Sequence, residues 1–327
     1  MFHEKTSNAA KGKWRGILMA LGMAETFLKD QHGPCPICGG NDRFRWDNQD
    51  GRGTYICGQC GAGDGMKLAM EYTGMSFSEI APKIDGLLGN LKPESGSQRR
   101  EMTGDERRNM LRATYSSTQP IAKGDAADKY LTTRRLDQPT YPAALRFSDA
   151  MKDGEGGVRP CMVALVGIHG ITDPKGRQRY CSMHRTFLKP DGSGKAEMAS
   201  PRKMMPGSLP DGACVMLSEW PGHGAIGVAE GIETAMSASA MFDMPVWAAL
   251  NATMMEKWFP PAGADEVAIF VDSDANFRGL RAGAILANKL RTNPKYVGLE
   301  VNIQTPRIIG TDWADEWTAR VRAGSEA

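Results

Sequence analysis

The sequence predicts an α/β protein: a small β module built on cysteines, a mixed α+β middle, and a C-terminal Rossmann-like parallel sheet with helices on both faces. Three observations predict it. Four of the seven cysteines crowd between Cys35 and Cys60. The middle carries two strand-like runs around a turn. The last hundred or so residues alternate short apolar runs with helical stretches, the pattern of a parallel sheet.

In the first 91 residues, helical stretches near 14–29 and 65–88 flank the cysteines. The pairs CPICGG and CGQC give Cys-x2-Cys, 18 intervening residues, then Cys-x2-Cys. Two knuckles of this kind present Cys35, Cys38, Cys57 and Cys60 as four thiolates, which fill the tetrahedral shell of one Zn2+ and leave no open position. The expected zinc is therefore structural. Cys161, Cys181 and Cys214 are scattered and read as small apolar residues. Between the pairs, Arg43, Phe44, Arg45 and Trp46 alternate in an apparent hairpin strand. Arginines can hold phosphates and aromatic faces can stack unpaired bases. Strict strand alternation would turn Phe44 away from Arg43 and Arg45, so some of the aromatics pack the module instead.

Residues 92–110 are polar and charged and read as a linker or solvated helix. From 111 to about 150 the pattern is helical, clearest in DAADKYLTTRRL. CMVALVGIHGI and RQRYCSMHRTFL then flank the turn DPKG as a hairpin, and a Gly-, Pro- and Lys-rich loop follows. The domain divisions expected are 1–91, 92–110, 111–220 and 221–327.

In the last division the strand AIGVA runs to Glu230, the helix IETAMSASAMF follows, and PVWAAL is the next strand. A short helix around MMEKWF leads to the strand EVAIFV, which ends at Asp272 and Asp274. The helix GLRAGAILANKL, the strand VNIQTP, and a final helix beginning near Asp312 and Asp315 complete it. Residues just past the strand ends of such a sheet converge on one edge. Carboxylates gathered there repel one another unless a divalent cation lies among them, and oxygen ligands suit Mg2+ or Mn2+.

Charge is split along the chain. The net +2 conceals +5 over 111–220 (16 basic against 11 acidic residues) and −4 over 221–327 (9 against 13). A basic track beside a carboxylate site suits phosphate chemistry. Arg185, Lys195 and Lys203 are the candidates for holding phosphates, within a stretch from Lys175 to Lys203 that has eight basic and two acidic residues. GSGKAE lacks the pattern of a nucleotide-binding P-loop. No apolar run is long enough to span a bilayer and the start has no signal core, so a cytoplasmic protein with no membrane partner is expected.

VAEGIETA, FVDSD and TDWAD, taken together, resemble the Toprim domain of bacterial primases, topoisomerases and some nucleases. HGPCPICGGNDRFRW…GTYICGQCGAGDG resembles the zinc ribbon of phage and plasmid primases, including satellite-phage primase-helicases. The resemblance implies a DNA primase that makes short RNA primers on a single-stranded DNA template from nucleoside triphosphates, for a phage, plasmid or other mobile element, alone or with a separate replicative helicase. It implies Glu230 as the catalytic acid, acting as general acid/base or helping to hold metal, and Asp272 and Asp274, also catalytic, with Asp312 or Asp315 as magnesium ligands. Glu233 stands where many relatives carry a further acid, which implies a possible metal role. It also names the divisions: zinc ribbon, linker, basic part of the polymerase core, Toprim. Two alternatives share these features, a Toprim-type nuclease and a non-catalytic recombination mediator that binds DNA.

Overall fold

The computed structural model describes residues 2–93, 102–198, 200–275 and 277–325. Part of the expected linker, 94–101, lies outside the described residues. The chain forms two compact units, residues 1–102 and 103–327.

In the first unit, helices α1 (Phe2–Ala9) and α2 (Trp14–Ala20) precede four short strands, β1 (Gly33–Cys35), β2 (Gly39–Trp46), β3 (Tyr55–Cys57) and β4 (Gly61–Gly63). They pair antiparallel in sequence order. Helices α3 (Gly65–Thr73) and α4 (Phe77–Leu88) follow. The sequence reads 65–88 as one helical stretch, but Gly74 ends α3 in the left-handed region at φ 70°. Ser76 then restarts the helix through a reciprocal cap with Glu79. Trp14, Ile17, Leu28, Phe44, Trp46, Tyr55, Leu68 and Ile80 form the core of this unit.

The second unit begins with α5 (Gly104–Ser116), so the C-terminal end of the expected linker is helical. Next come β5 (Gln119–Pro120), α6 (Ala126–Thr133), β6 (Leu145–Lys152), β7 (Val158–Thr172), β8 (Gln178–Phe187) and β9 (Arg202–Met204). The five strands form one antiparallel sheet in sequence order. The β7–β8 hairpin lies where DPKG predicts it. Strand β6 occupies the end of the stretch read as helical, because Leu145 and Phe147 alternate into the core.

A second sheet follows: β10 (Gly224–Ala229), α7 (Ile232–Phe242), β11 (Val246–Ala248), α8 (Ala252–Lys257), β12 (Ala264–Phe270), α9 (Arg278–Thr292), β13 (Glu300–Gln304) and α10 (Trp313–Ser325). Its strands are all parallel, in the order β11-β10-β12-β13. From β10 the chain turns outward to β11, then crosses back to β12 and continues to β13. Right-handed crossovers in opposite directions put α7 on one face and α8 and α9 on the other. α10 packs against α7, and α8 against α9. The ends of β10 and β12 are therefore the point where the winding reverses, the usual position of a site in such sheets.

Cys214 pairs with Gly167 of β7, and Val215 with Ala248 of β11. This strap ties the antiparallel sheet to the parallel one, and the two share one buried core. No helix among the described residues is long and apolar enough to cross a membrane.

Candidate zinc centre and acidic active site

The four knuckle cysteines gather with their sulfurs all within 4.8 Å of one another. Cys35 and Cys60 are 3.7 Å apart between sulfurs, as are Cys38 and Cys57. A tetrahedron with metal–sulfur bonds of about 2.3 Å has edges of about 3.8 Å. Backbone N–H groups of Ile37 and Gln59 donate to the sulfurs of Cys35 and Cys57, which favours the thiolate form. The donor set and its spacing fit zinc.

Strand β2 alternates as its sequence predicts. Phe44 and Trp46 point into the ribbon and are only 2% and 4% exposed, with Phe44 stacked on Tyr55 at 5.5 Å. Their faces are taken up by packing and are not open to a base in this fold. Arg43 and Arg45 point the other way. Arg45 pairs with Asp30 at 3.1 Å, and Arg43 donates to Gln59 at 3.3 Å.

In the second unit, Glu230 follows β10 directly, Asp272 and Asp274 follow β12, and Asp312 precedes α10. Three carboxylates, Glu230, Asp312 and Asp274, act on Asp272. Burial first, then these like charges, push the Asp272 carboxyl up to about 7, while Arg202 pulls it down. Asp272 Oδ1 is buried with no hydrogen-bond partner. An orphaned, desolvated oxygen among like charges is an electrostatic imbalance that a hard cation relieves. α9 also approaches closely, since a Cβ on Gly279 would lie 3.1 Å from the Asp272 carbonyl oxygen. Asp315 is committed to a cap: the Asp312 N–H donates to its Oδ2 at 3.1 Å, and the Asp315 N–H returns a bond to Asp312 Oδ1 at 2.9 Å. Among the described residues, the four cysteines are the one group of three or more His, Cys, Asp or Glu side chains drawn together closely enough to hold an ion as they stand.

Strand parity sorts the basic residues of β8 and β9. Arg185 pairs across the ladder with Lys203, and Thr186 with Arg202, so Arg185 and Lys203 share one face and Arg202 takes the other. Lys203 Nζ donates to the Asp153 carbonyl oxygen at 2.8 Å and to Glu155 at 3.0 Å. Arg185 lies over Phe187, 5.7 Å from the ring centre. Lys195, from the loop after β8, meets Glu233 at 3.0 Å. Glu233 is buried, and its other partner is the Tyr130 hydroxyl. Although burial opposes it, Lys195, the Tyr130 hydroxyl, its own backbone N–H and Arg202 hold the Glu233 carboxyl well below the usual range. Nothing in the local sequence marks Arg202 or Tyr130 as a site residue, and the lone His184 of the basic segment reads as a structural histidine. Parity forbids Arg202 and Lys203 from facing the same way, but nothing local says which faces the carboxylates.

Residues 30–66 match the family model for the zinc-binding domain of primase-helicase, and residues 225–323 match the Toprim domain. The chain joins a primase-type zinc ribbon to a Toprim domain. Residues 105–216, which hold α5, α6 and the antiparallel sheet, match a domain of unknown function, DUF7146. Similar solved structures include the primase fragment of the bacteriophage T7 primase-helicase, at 14% identity over 90% of this chain and 98% of that one, with a TM-score of 0.38. The zinc-binding and RNA polymerase domains of the Aquifex aeolicus primase share 16% identity over 98% and 83% of the two chains, with a TM-score of 0.39. A DNA primase domain from Pseudomonas aeruginosa shares 14% identity over 66% and 77%, with a TM-score of 0.40. Likeness at this distance carries no functional weight; the ribbon, the Toprim domain and the site geometry do.

Proposed function

We propose that the protein is a DNA primase, a DNA-directed RNA polymerase that makes short primers on single-stranded DNA, serving a phage, plasmid or other mobile element. The observation that carries this reading is the primase-type ribbon joined to a Toprim domain whose Asp272 is half-buried, orphaned at Oδ1, crowded by Glu230, Asp274 and Asp312, and pulled the other way by Arg202. An acidic cluster facing a cation suits a substrate that brings both a metal and phosphates.

Glu230, Asp272, Asp274 and Asp312 would hold Mg2+ or Mn2+, which when bound would neutralise the α-phosphate and ease loss of the 3′-hydroxyl proton. Asp315 supports this set by capping the helix that carries Asp312. Glu230, half-buried at the rim, takes up the proton from the 3′-hydroxyl. Lys195 and Arg202 grip the β- and γ-phosphates and stabilise pyrophosphate as the bond to the α-phosphorus breaks and the new O3′–P bond forms. Arg185 and Lys203 face away from this cluster and contribute to the basic surface that tracks a strand. In the ribbon, the outward Arg43 and Arg45 contact template phosphates, with Phe44 and Trp46 supporting them from the core.

The same carboxylates would serve a nuclease, and a non-catalytic mediator would not need them. One gel separates the three. Labelled single-stranded DNA with Mg2+ and NTPs yields short RNA from a primase and shortened DNA from a nuclease. A mediator leaves the DNA unchanged but shifted. New RNA that a chelator abolishes is the expected result; its absence across varied templates and metals rejects the reading.

A further inference from the structure

Glu233 lies three residues beyond Glu230, in the first turn of α7, and its carboxylate is bound elsewhere. Its Oε1 receives bonds from two distant parts of the chain, Lys195 Nζ at 3.0 Å and the Tyr130 hydroxyl from α6. The pair is oriented. The Glu233 side chain is 11% exposed and that of Lys195 26%, so the carboxylate lies behind and the ammonium in front. Glu233 uses one of three ammonium donors and leaves two.

The surroundings carry more positive than negative charge. Arg202 and Arg134 both act on Lys195 and oppose its charge, and Arg134 lies over the Tyr130 ring at 5.0 Å. His184 is buried beside them with Nδ1 lacking a partner. Lys195 and Arg134, with an Arg202 that also acts on Asp272, outweigh Glu233 alone, and an anion relieves that local surplus. The Lys195 backbone is also pinned, through its bridge to Leu188 and the Ala196 N–H bonding to Phe187. What the backbone leaves free is the four-carbon stem. A lysine stem is flexible, and fixing it forfeits rotamer freedom.

We infer that Glu233 is a positioning residue: it holds the Lys195 ammonium beside Arg202, ready for the terminal phosphates of a nucleoside triphosphate, and takes no part in holding the metal. This rests on the primase reading for the identity of the anion. It separates two acids three residues apart in sequence into two duties, Glu230 toward metal and 3′-hydroxyl, Glu233 toward Lys195.

The test compares wild type, Glu233→Gln, Lys195→Met and the double variant, with Tyr130→Phe as a milder disturbance of the same carboxylate. Two readouts are needed: binding of a fluorescent ATP analogue without Mg2+, and the Mn2+ concentration that half-saturates primer synthesis. Glu233→Gln should weaken analogue binding by about 10–30-fold, the freedom an unpinned lysine regains. The loss should vanish in the Lys195→Met background, and Mn2+ half-saturation should move less than about 2-fold. Tyr130→Phe should weaken binding in the same direction by about 2–5-fold, which keeps the test open if Glu233→Gln folds poorly. Unchanged binding in both Glu233→Gln and Tyr130→Phe overturns the inference. So does a raised Mn2+ requirement that persists with Lys195→Met. Wild type that binds the analogue but makes no primer overturns the primase reading alone, and wild type that makes primer but binds no analogue overturns this inference alone.

Discussion

Replacing Asp272 with Asn should stabilise the magnesium-free protein. The carboxyl rises from 3.8 to about 7 through burial and the charges of Glu230, Asp312 and Asp274. Its folded value lies above its unfolded one, so between about pH 4 and 7 the native state holds a proton that the unfolded state has released. Stability from this group is therefore present at low pH and lost as pH rises through that window. A shift of roughly three units corresponds to about 4 kcal/mol as an upper bound. Partial exposure and sharing among coupled carboxylates bring the expected effect to about 1–3 kcal/mol. Urea unfolding at pH 8, in magnesium-free buffer that leaves the ribbon's zinc in place, should show Asp272→Asn more stable than wild type by that amount. Near pH 4 the two should converge. Added Mg2+ should raise wild-type stability by mass action and leave the variant nearly unmoved. A variant equal to or weaker than wild type at pH 8 would show that the carboxylates around Asp272 are not crowded in the way described.

Burial, reinforced by Arg202, Lys195 and Arg185 and opposed only by Glu233, lowers the His184 imidazole to about 4. The unfolded state takes up a proton near pH 6.5 and the native state does not, so stability is lost as pH falls from about 6.5 to 4, by at most about 3 kcal/mol. His184→Gln should flatten that limb of the pH–stability curve measured by thermal melting. Stripping zinc, or changing Cys57 to Ser, should unfold the ribbon unit and leave residues 103–327 folded, read as loss of one transition in calorimetry. Phe44→Ala should cost the ribbon about 3–5 kcal/mol through the cavity it leaves, seen in the zinc-bound melting temperature. Arg43→Ala should leave that melt within about 1 kcal/mol and reduce the salt slope of single-stranded DNA binding by about 1.

The parallel sheet was legible in the sequence because short apolar runs alternate with helical stretches, and two of those runs, β10 and β12, are closed by acids. The strand-end rule then brings Glu230 and Asp272 together with no further information. The cysteine spacing was legible for the same reason: the chemistry is local. Strand β6 was not, because its ladder shifts register between Ser148 and Met151, which breaks the two-residue alternation that marks a strand. The split between α3 and α4 lay in a single glycine and its following serine, signals weaker than the apolar period running through them. The contact of Tyr130 with Glu233 spans 103 residues and leaves no trace in either neighbourhood. Arg202 and Lys203 look equivalent in sequence, and only the β8–β9 register tells them apart.

Whether the carboxylates at the ends of β10 and β12 transfer nucleotides on a single-stranded template can be read in one experiment. Wild type and Asp272→Ala are given labelled NTPs and random single-stranded DNA side by side, and incorporation is counted. Wild type should make Mg2+-dependent RNA, and the variant should lose at least about 100-fold, or about 3 kcal/mol of transition-state stabilisation. RNA made equally well by Asp272→Ala would contradict a catalytic role for this cluster.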